Sequence, residues 1–224
     1  MSTHVATTTS AWSQTGDNRK RKDVVIEIAD YSGGGNRPVV QLRAQQAWDS
    51  AVKEYNAVLW KFNRVVADIT LANNTQDYDL ATNFAEPLRA VLLDSDGIER
   101  VPVFWVKYEE WLHFVADNKG TSGAPEHYSA RNTHANGKVS VYPRVASPIT
   151  YPTMRLHHFR RIALAADGEA TLDVPMEVDE GIFQLAVAKH MMKEKGPKGA
   201  IEHYTLAGAT RMRLEQQWRD WPDF

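Results

Sequence analysis

Eight histidines, 28 acidic residues and no cysteine set the side-chain chemistry open to this 224-residue chain. Without cysteine there is no thiolate nucleophile, no thiolate metal ligand and no disulfide, which suits a protein made in a reducing compartment and held together by packing or assembly. His190 and Glu194 have the spacing that sets two ligands on one helix face, but a lone pair near a helix end reads more simply as surface decoration. His157 and His158 are adjacent in a stretch read as a strand, so their rings point to opposite faces and do not share a metal. Asp94-Ser95-Asp96-Gly97 has the opening acids of a calcium loop, yet Glu99 stands where that loop needs glycine and Trp105 where it needs a bidentate glutamate. Gly33-Gly34-Gly35 lacks the Lys-Ser/Thr that grips a nucleotide phosphate, and there is no Gly-x-Ser-x-Gly. A two-carboxylate glycosidase depends on spatial pairing and has no positive signature in the chain. The residues therefore give no catalytic group, no metal site and no cofactor.

The elements that would position such groups are easier to read. At 43% hydrophobic and 24% charged the chain is long enough to bury a core, and its formal net charge of -2 supplies no general basic field for nucleic acid. No apolar run approaches the roughly twenty residues of a membrane span, and Met1 to Thr9 has neither a basic start nor an apolar signal core, so a soluble, unexported protein with no membrane contact is expected. Residues 1–37 read as an extended arm: a Ser/Thr-rich start, the basic run Asn18 to Lys22, and a glycine-rich stretch ahead of Pro38. Within it Val24-Val25-Ile26-Glu27-Ile28 is a β-prone run suited to adding as an edge strand to a neighbouring molecule.

Three helices are expected. From Ala44 to Phe62 the residues Trp48, Val52, Tyr55, Leu59 and Phe62 fall on one stripe. A second runs from about Asp179 to Lys195, with acids at its start, lysines at its end and Gly196-Pro197 as its stop. A third, from about Gly199 to Asp220, carries Tyr204, Ala207, Arg211, Leu214 and Trp218 at heptad-like spacing. Between the first two lie β-prone runs at Val65–Thr70, Leu88–Leu93, Ile98–Val106, Glu126–His134, Lys138–Tyr142, Thr153–Ile162 and Ala170–Val174. Asp94 to Gly97 and Asn136-Gly137 read as hairpin turns. The fold class is α+β: a small helical bundle of an N-terminal helix (38–64) and two C-terminal helices (176–220), an inserted antiparallel β domain (65–175), and extended terminal arms, the last being a short tail at 221–224.

The order of these elements resembles the head-to-tail adaptors of tailed bacteriophages, the ring proteins beneath the portal. Trp60 and Phe62 precede Tyr78-Asp79-Leu80; then come Leu88 to Leu93, Asp96-Gly97, Val101 to Val106, Gly123-Ala124-Pro125-Glu126-His127-Tyr128, and Val139 to Pro143. Leu156 to Arg161, Asp173-Val174-Pro175 and the helix from Glu180 complete a match over roughly residues 44–220. The chain departs from that pattern in a longer, more basic N-terminal arm and in one early bundle helix that is short or absent.

The resemblance implies a structural protein of the virion neck. Such subunits close into a ring, usually of twelve, dock on the portal protein, continue the DNA channel without holding the genome specifically, and give a platform to the next tail component, whether nozzle, tail tube or stopper. It further implies that the C-terminal segment reaches the portal, which here makes Trp218, Trp221, Pro222 and Phe224 the portal-binding candidates. Pro222 should end the helix and leave Trp221 and Phe224 exposed, while Trp218 has an equal reading as core. Val24, Val25, Ile26, Ile28, Arg160 and Arg161 are candidates for contacts between subunits; Arg160-Arg161 and Asn18 to Lys22 can also be read as phosphate contacts, though the first pair reads more simply as inter-subunit salt bridges and the second as decoration of an arm. Asp94 and Asp96, or Asp77 and Asp79, are candidate channel acids, each also readable as an ordinary turn residue. A different neck ring, such as a head-completion or tail-terminator protein, is the alternative, and a nucleic-acid-binding module a second one.

Overall fold

A computed structural model describes residues 18–80, 83–117, 121–132, 137–147, 150–164 and 167–219, together with the backbone of Thr7–Ser10. The fold is α+β and divides into two compact units. One comprises Asn63–Arg161 and the N-terminal strand; the other comprises the described residues flanking that span, 18–62 and 162–219.

The helical unit is built from α1 (Arg21–Tyr31), α2 (Pro38–Tyr55) and α4 (Met176–Trp218), whose inward faces share one core. In α2, Pro38 sits at the first turn, where its missing N–H costs nothing, and Trp48, Val52 and Tyr55 are buried as their spacing requires. The helix stops at Tyr55, so Leu59 and Phe62 follow outside it, and Phe62 belongs to a 3-10 turn at Lys61–Asn63. The two C-terminal helices of the sequence reading are the two arms of α4, broken at Gly196, whose φ of 71° is left-handed, with Pro197 opening the second arm. Ala170–Val174 is not a strand. Leu172 and Val174 are buried in this core, and their carbonyls accept hydrogen bonds from the Asn18 amide at 2.7 and 2.8 Å.

The largest departure from the sequence reading is α1. Val24, Val25, Ile26 and Ile28 are helical rather than an extended arm: Val24, Ile28 and Ala29 fall one turn apart on one face and are fully buried, while Ile26 is exposed. Packing of that face overrides the β propensity of the run. Val24 and Ile28 are consequently core residues of their own unit. The glycines at 33–35 form the turn into α2, with Gly33 at φ 79°.

The β unit contains β1 (Thr7–Ser10), β2 (Arg64–Thr70), β3 (Asp77–Asp79), β4 (Phe84–Leu93), β5 (Glu99–Trp105), α3 (Tyr108–Asp117), β6 (Ser122–Gly123), β7 (His127–Asn132), β8 (Gly137–Tyr142), β9 (Arg144–Val145) and β10 (Thr153–Arg160). Among the described residues eight strands form one sheet in the order β1-β2-β10-β4-β5-β7-β8-β3, and β6 pairs separately with β9. The sheet is mixed, not antiparallel as expected, because β5 and β7 run parallel. A parallel step needs a long crossover, and α3 lies within it. Against β10 the strand β4 carries an extra residue beside Pro87, since His157 faces Arg89 while His158 faces Pro87; a bulge is where a strand tolerates proline. The core beneath includes Tyr78, Phe84, Leu92, Tyr128, Met154 and Leu156.

Gly97 adopts φ 77° in the β4–β5 hairpin, as its turn requires. At the β7–β8 hairpin Asn136 lies outside the described residues. Gly137 is the first residue of β8, and a Cβ there would meet the Phe84 Cβ at 2.6 Å, so close packing demands glycine at that position.

Candidate functional site

Neither histidine pair makes a metal site. His157 and His158 point to opposite sides of β10, His157 half-buried and His158 fully buried beside Phe84. His190 is not surface decoration as its position suggested: it is fully buried on α4, its Nε2 3.0 Å from the Ser32 hydroxyl, while Glu194 bonds Arg43 at 2.8 Å. On the sheet face, Arg64, Val65, Val66, Leu88, Arg89 and His157 line an open groove of about 480 Å³ in which no nucleophile is set beside a base.

Two buried ionisable groups respond to pH in opposite directions. Burial pulls His158 down to about 4, so the folded state resists its protonation. Burial raises Asp179, at the start of α4, to about 6, against the opposing pull of Arg19. A histidine depressed on folding contributes stability that is complete above its unfolded value near 6.5 and lost as pH falls toward 4. A raised aspartate does the reverse, costing stability as pH rises from about 3.8 to about 6. Urea unfolding at pH 7 and pH 5 should show a loss on acidification that His158→Leu reduces by about 2 kcal/mol. Asp179→Asn should stabilise the protein above pH 6 and leave it unchanged below about 3.8. Equal pH dependence in all three proteins would contradict these assignments.

The basic run is spent on the chain's own acids. Arg19 pairs with Glu180, Lys20 and Lys22 both pair with Glu169, and Arg21 makes two 2.9 Å bonds to Asp49. The two lysines hold Glu169 well below the usual carboxylate range. The run therefore fastens the start of α1 in place, with the half-exposed Lys20 and Lys22 sharing the one carboxylate of Glu169. Asp94 is likewise committed, accepting bonds from the Asp96 and Ile98 N–H groups at 3.0 and 2.9 Å and from Arg100 Nε at 2.6 Å, which lower its carboxyl. It forms the hairpin turn, and Asp96 is exposed beside it. Asp77 and Asp79 are strand residues of β3, bonded to Ser140 and Lys138. Arg160 ends β10 half-buried, and the exposed Arg161 donates its N–H to the Asn83 carbonyl at 2.6 Å.

The C-terminal end of α4 has the most developed geometry among the candidates. Trp60 is fully buried between Tyr55 and Phe62, with ring centroids 5.6 and 5.9 Å away, and its Nε1–H donates to the Tyr55 carbonyl at 2.7 Å. Trp218 meets the Phe62 ring edge-on at 6.1 Å and packs on the same core. Of its two readings, the structure places Trp218 on its own unit. Arg219 bridges to Trp60 in antiparallel fashion and has left the helix, at φ -68° and ψ 133°, three residues before Pro222. Trp221, Pro222 and Phe224 lie outside the described residues. The aromatic pillar thus fixes where the tail departs.

Sequence reasoning missed the acidic partners of the basic run, which lie far along the chain, and the role of His190, whose hydroxyl partner comes from the α1 end.

The model of the SU10 adaptor protein family matches residues 20–223, from the fastened basic run through both arms of α4 to the tail. The chain belongs to the SU10 adaptor protein family. The resemblance to an adaptor, read from the order of its elements, holds. No curated protein sequence matches this adaptor. Among solved structures, a chain in "Virion of native gene transfer agent (GTA) particle" is 13% identical, with 97% of each chain covered and a TM-score of 0.33. Another, in "Neck of empty GTA particle computed with C6 symmetry", is 14% identical, covering 81% of the adaptor and 82% of that chain, also at 0.33. Superposition this loose transfers no residue from one chain to the other. Among the described residues no helix of the adaptor is long and apolar enough to cross a membrane.

Proposed function

We propose that this adaptor forms a ring, twelvefold in the usual state of such proteins, that docks on the portal protein, continues the channel for genomic DNA and gives the downstream tail component its platform. The family match over residues 20–223 carries the reading. Three helices sharing one core support the finer picture of a small bundle that carries the β unit as an insertion. The end of α4 supports a portal-docking role for the tail: Trp218 is seated on its own core and the chain has turned extended by Arg219, which leaves the docking to Trp221 and Phe224.

A channel protein must let DNA slide past without capturing it. The formal net charge of -2 and the pairing of Arg19 to Lys22 with three carboxylates of the chain suit that role and disfavour a nucleic-acid-binding module. Arg160 and Arg161 remain proposed contacts between neighbouring copies, and Asp96 a proposed channel-facing acid. Co-sedimentation with purified portal, alongside duplex binding over a salt series, tests the proposal. Stable co-sedimentation with weak duplex binding is expected; tight, steeply salt-dependent duplex binding without portal association would overturn it.

A further inference from the structure

The edge of the sheet at β1 points beyond a single copy. We propose that Thr7–Ser10 is an exchangeable strand which, in the assembled ring, completes the β2 edge of a neighbouring copy; this rests on the ring reading above.

The acceptor edge exists independently of β1. Strand β2 is held on its inner side by β10 through seven paired residues, from Thr153↔Thr70 to Phe159↔Arg64, and its Val65, Ala67 and Ile69 are buried. Its outer side receives β1 antiparallel over Thr7↔Asp68, Thr8↔Ala67, Thr9↔Val66 and Ser10↔Val65. The donor is short and polar, Thr-Thr-Thr-Ser, and recognition of this kind runs through main-chain hydrogen bonds, so one copy's edge serves as well as another's. A four-residue ladder of main-chain hydrogen bonds is cheap to exchange, because each bond contributes little net stability.

The tether permits the crossing. Asn18 is pinned by its two bonds to Leu172 and Val174, and the next residues are fastened by Arg19–Glu180, Arg21 N–H to the Ala170 carbonyl and Lys22 N–H to the Gly168 carbonyl. From that anchor back to Ser10 the chain can span up to about 26–29 Å, close to the width of a small domain. Donor strand and acceptor edge are different patches of one surface. An interface between unlike patches is head-to-tail, and where its rotation closes it generates a ring in which every copy gives one strand and receives one. No β2 edge is then left open.

The absence of native cysteine makes the test clean. Thr9 and Val66 are antiparallel partners, and such pairs lie at a Cα separation a disulfide accepts. Portal-bound rings of the Thr9→Cys/Val66→Cys protein, counted by sedimentation and then oxidised, should yield a ladder of covalent multimers on a non-reducing gel. Differently tagged chains carrying only Thr9→Cys or only Val66→Cys should form a mixed covalent dimer. Rings whose bond closes within each chain, or forms in neither arrangement, would overturn the exchange while leaving the ring intact. Chains that never form rings beside the portal would overturn the ring reading and the exchange with it.

Discussion

Replacing Trp60 by alanine is expected to cost about 3–5 kcal/mol of stability, the range for removing a fully buried aromatic from a packed core. Several contacts go with that ring at once. Tyr55 and Phe62 lose the partner between them, the Tyr55 carbonyl loses its 2.7 Å donor, and the Phe62–Trp218 edge contact loses its backing. Surrounding groups cannot close the gap, because Tyr55 and Phe62 are themselves packed in the same core. The urea midpoint followed by circular dichroism measures the effect. A shift equivalent to less than 1 kcal/mol would mean that the pillar at the end of α4 is not structural. The bridge between Trp60 and Arg219 adds a second consequence: the tail's point of departure is no longer fixed, so portal docking should weaken as well.

The second large effect concerns the tail itself. Deleting Trp221 to Phe224 should leave the helical content unchanged and abolish stable docking on the portal. Helix α4 ends at Trp218 and that ring is seated on its own core, so the deletion spares both. Full burial of one large apolar side chain is worth roughly 1.5–3 kcal/mol, a factor of roughly 10 to 150 in affinity for each aromatic in each copy. Around a symmetric ring those factors multiply. Trp218→Ala should by contrast act first on stability. Docking that survives deletion of the tail would move the portal contact elsewhere, with the exposed Ile201, Leu206 and Met212 of the second arm of α4 as the next surface to examine.

Elements governed by local chemistry were legible in the sequence. Acids at 179–180, lysines at 193 and 195 and Gly196-Pro197 marked the first arm of α4, and Asp94 to Gly97 marked a hairpin, because capping and turn residues act on their immediate neighbours. Helix α1 was misread since its β-branched run favours a strand locally, and only the core that buries Val24 and Ile28 decides otherwise. For α3 the signal was present: Glu109 and Glu110 in the first turn, then Trp111, Phe114 and Val115 at helical spacing. Its omission hid the parallel step between β5 and β7. The same limit applies to the candidate site. Residue types suggest phosphate contacts or arm decoration for Asn18 to Lys22 and a channel role for Asp94, but the partners that engage those charges are tertiary, and no spacing rule announces Glu169 to Lys20.

The central claim is that this adaptor works by repeating itself around an axis on the portal. Electron-microscope images of purified portal incubated with the purified chain test it most directly. The account predicts a second ring stacked coaxially on the portal with an open central channel. Portal rings left bare beside single, unassembled chains would contradict it.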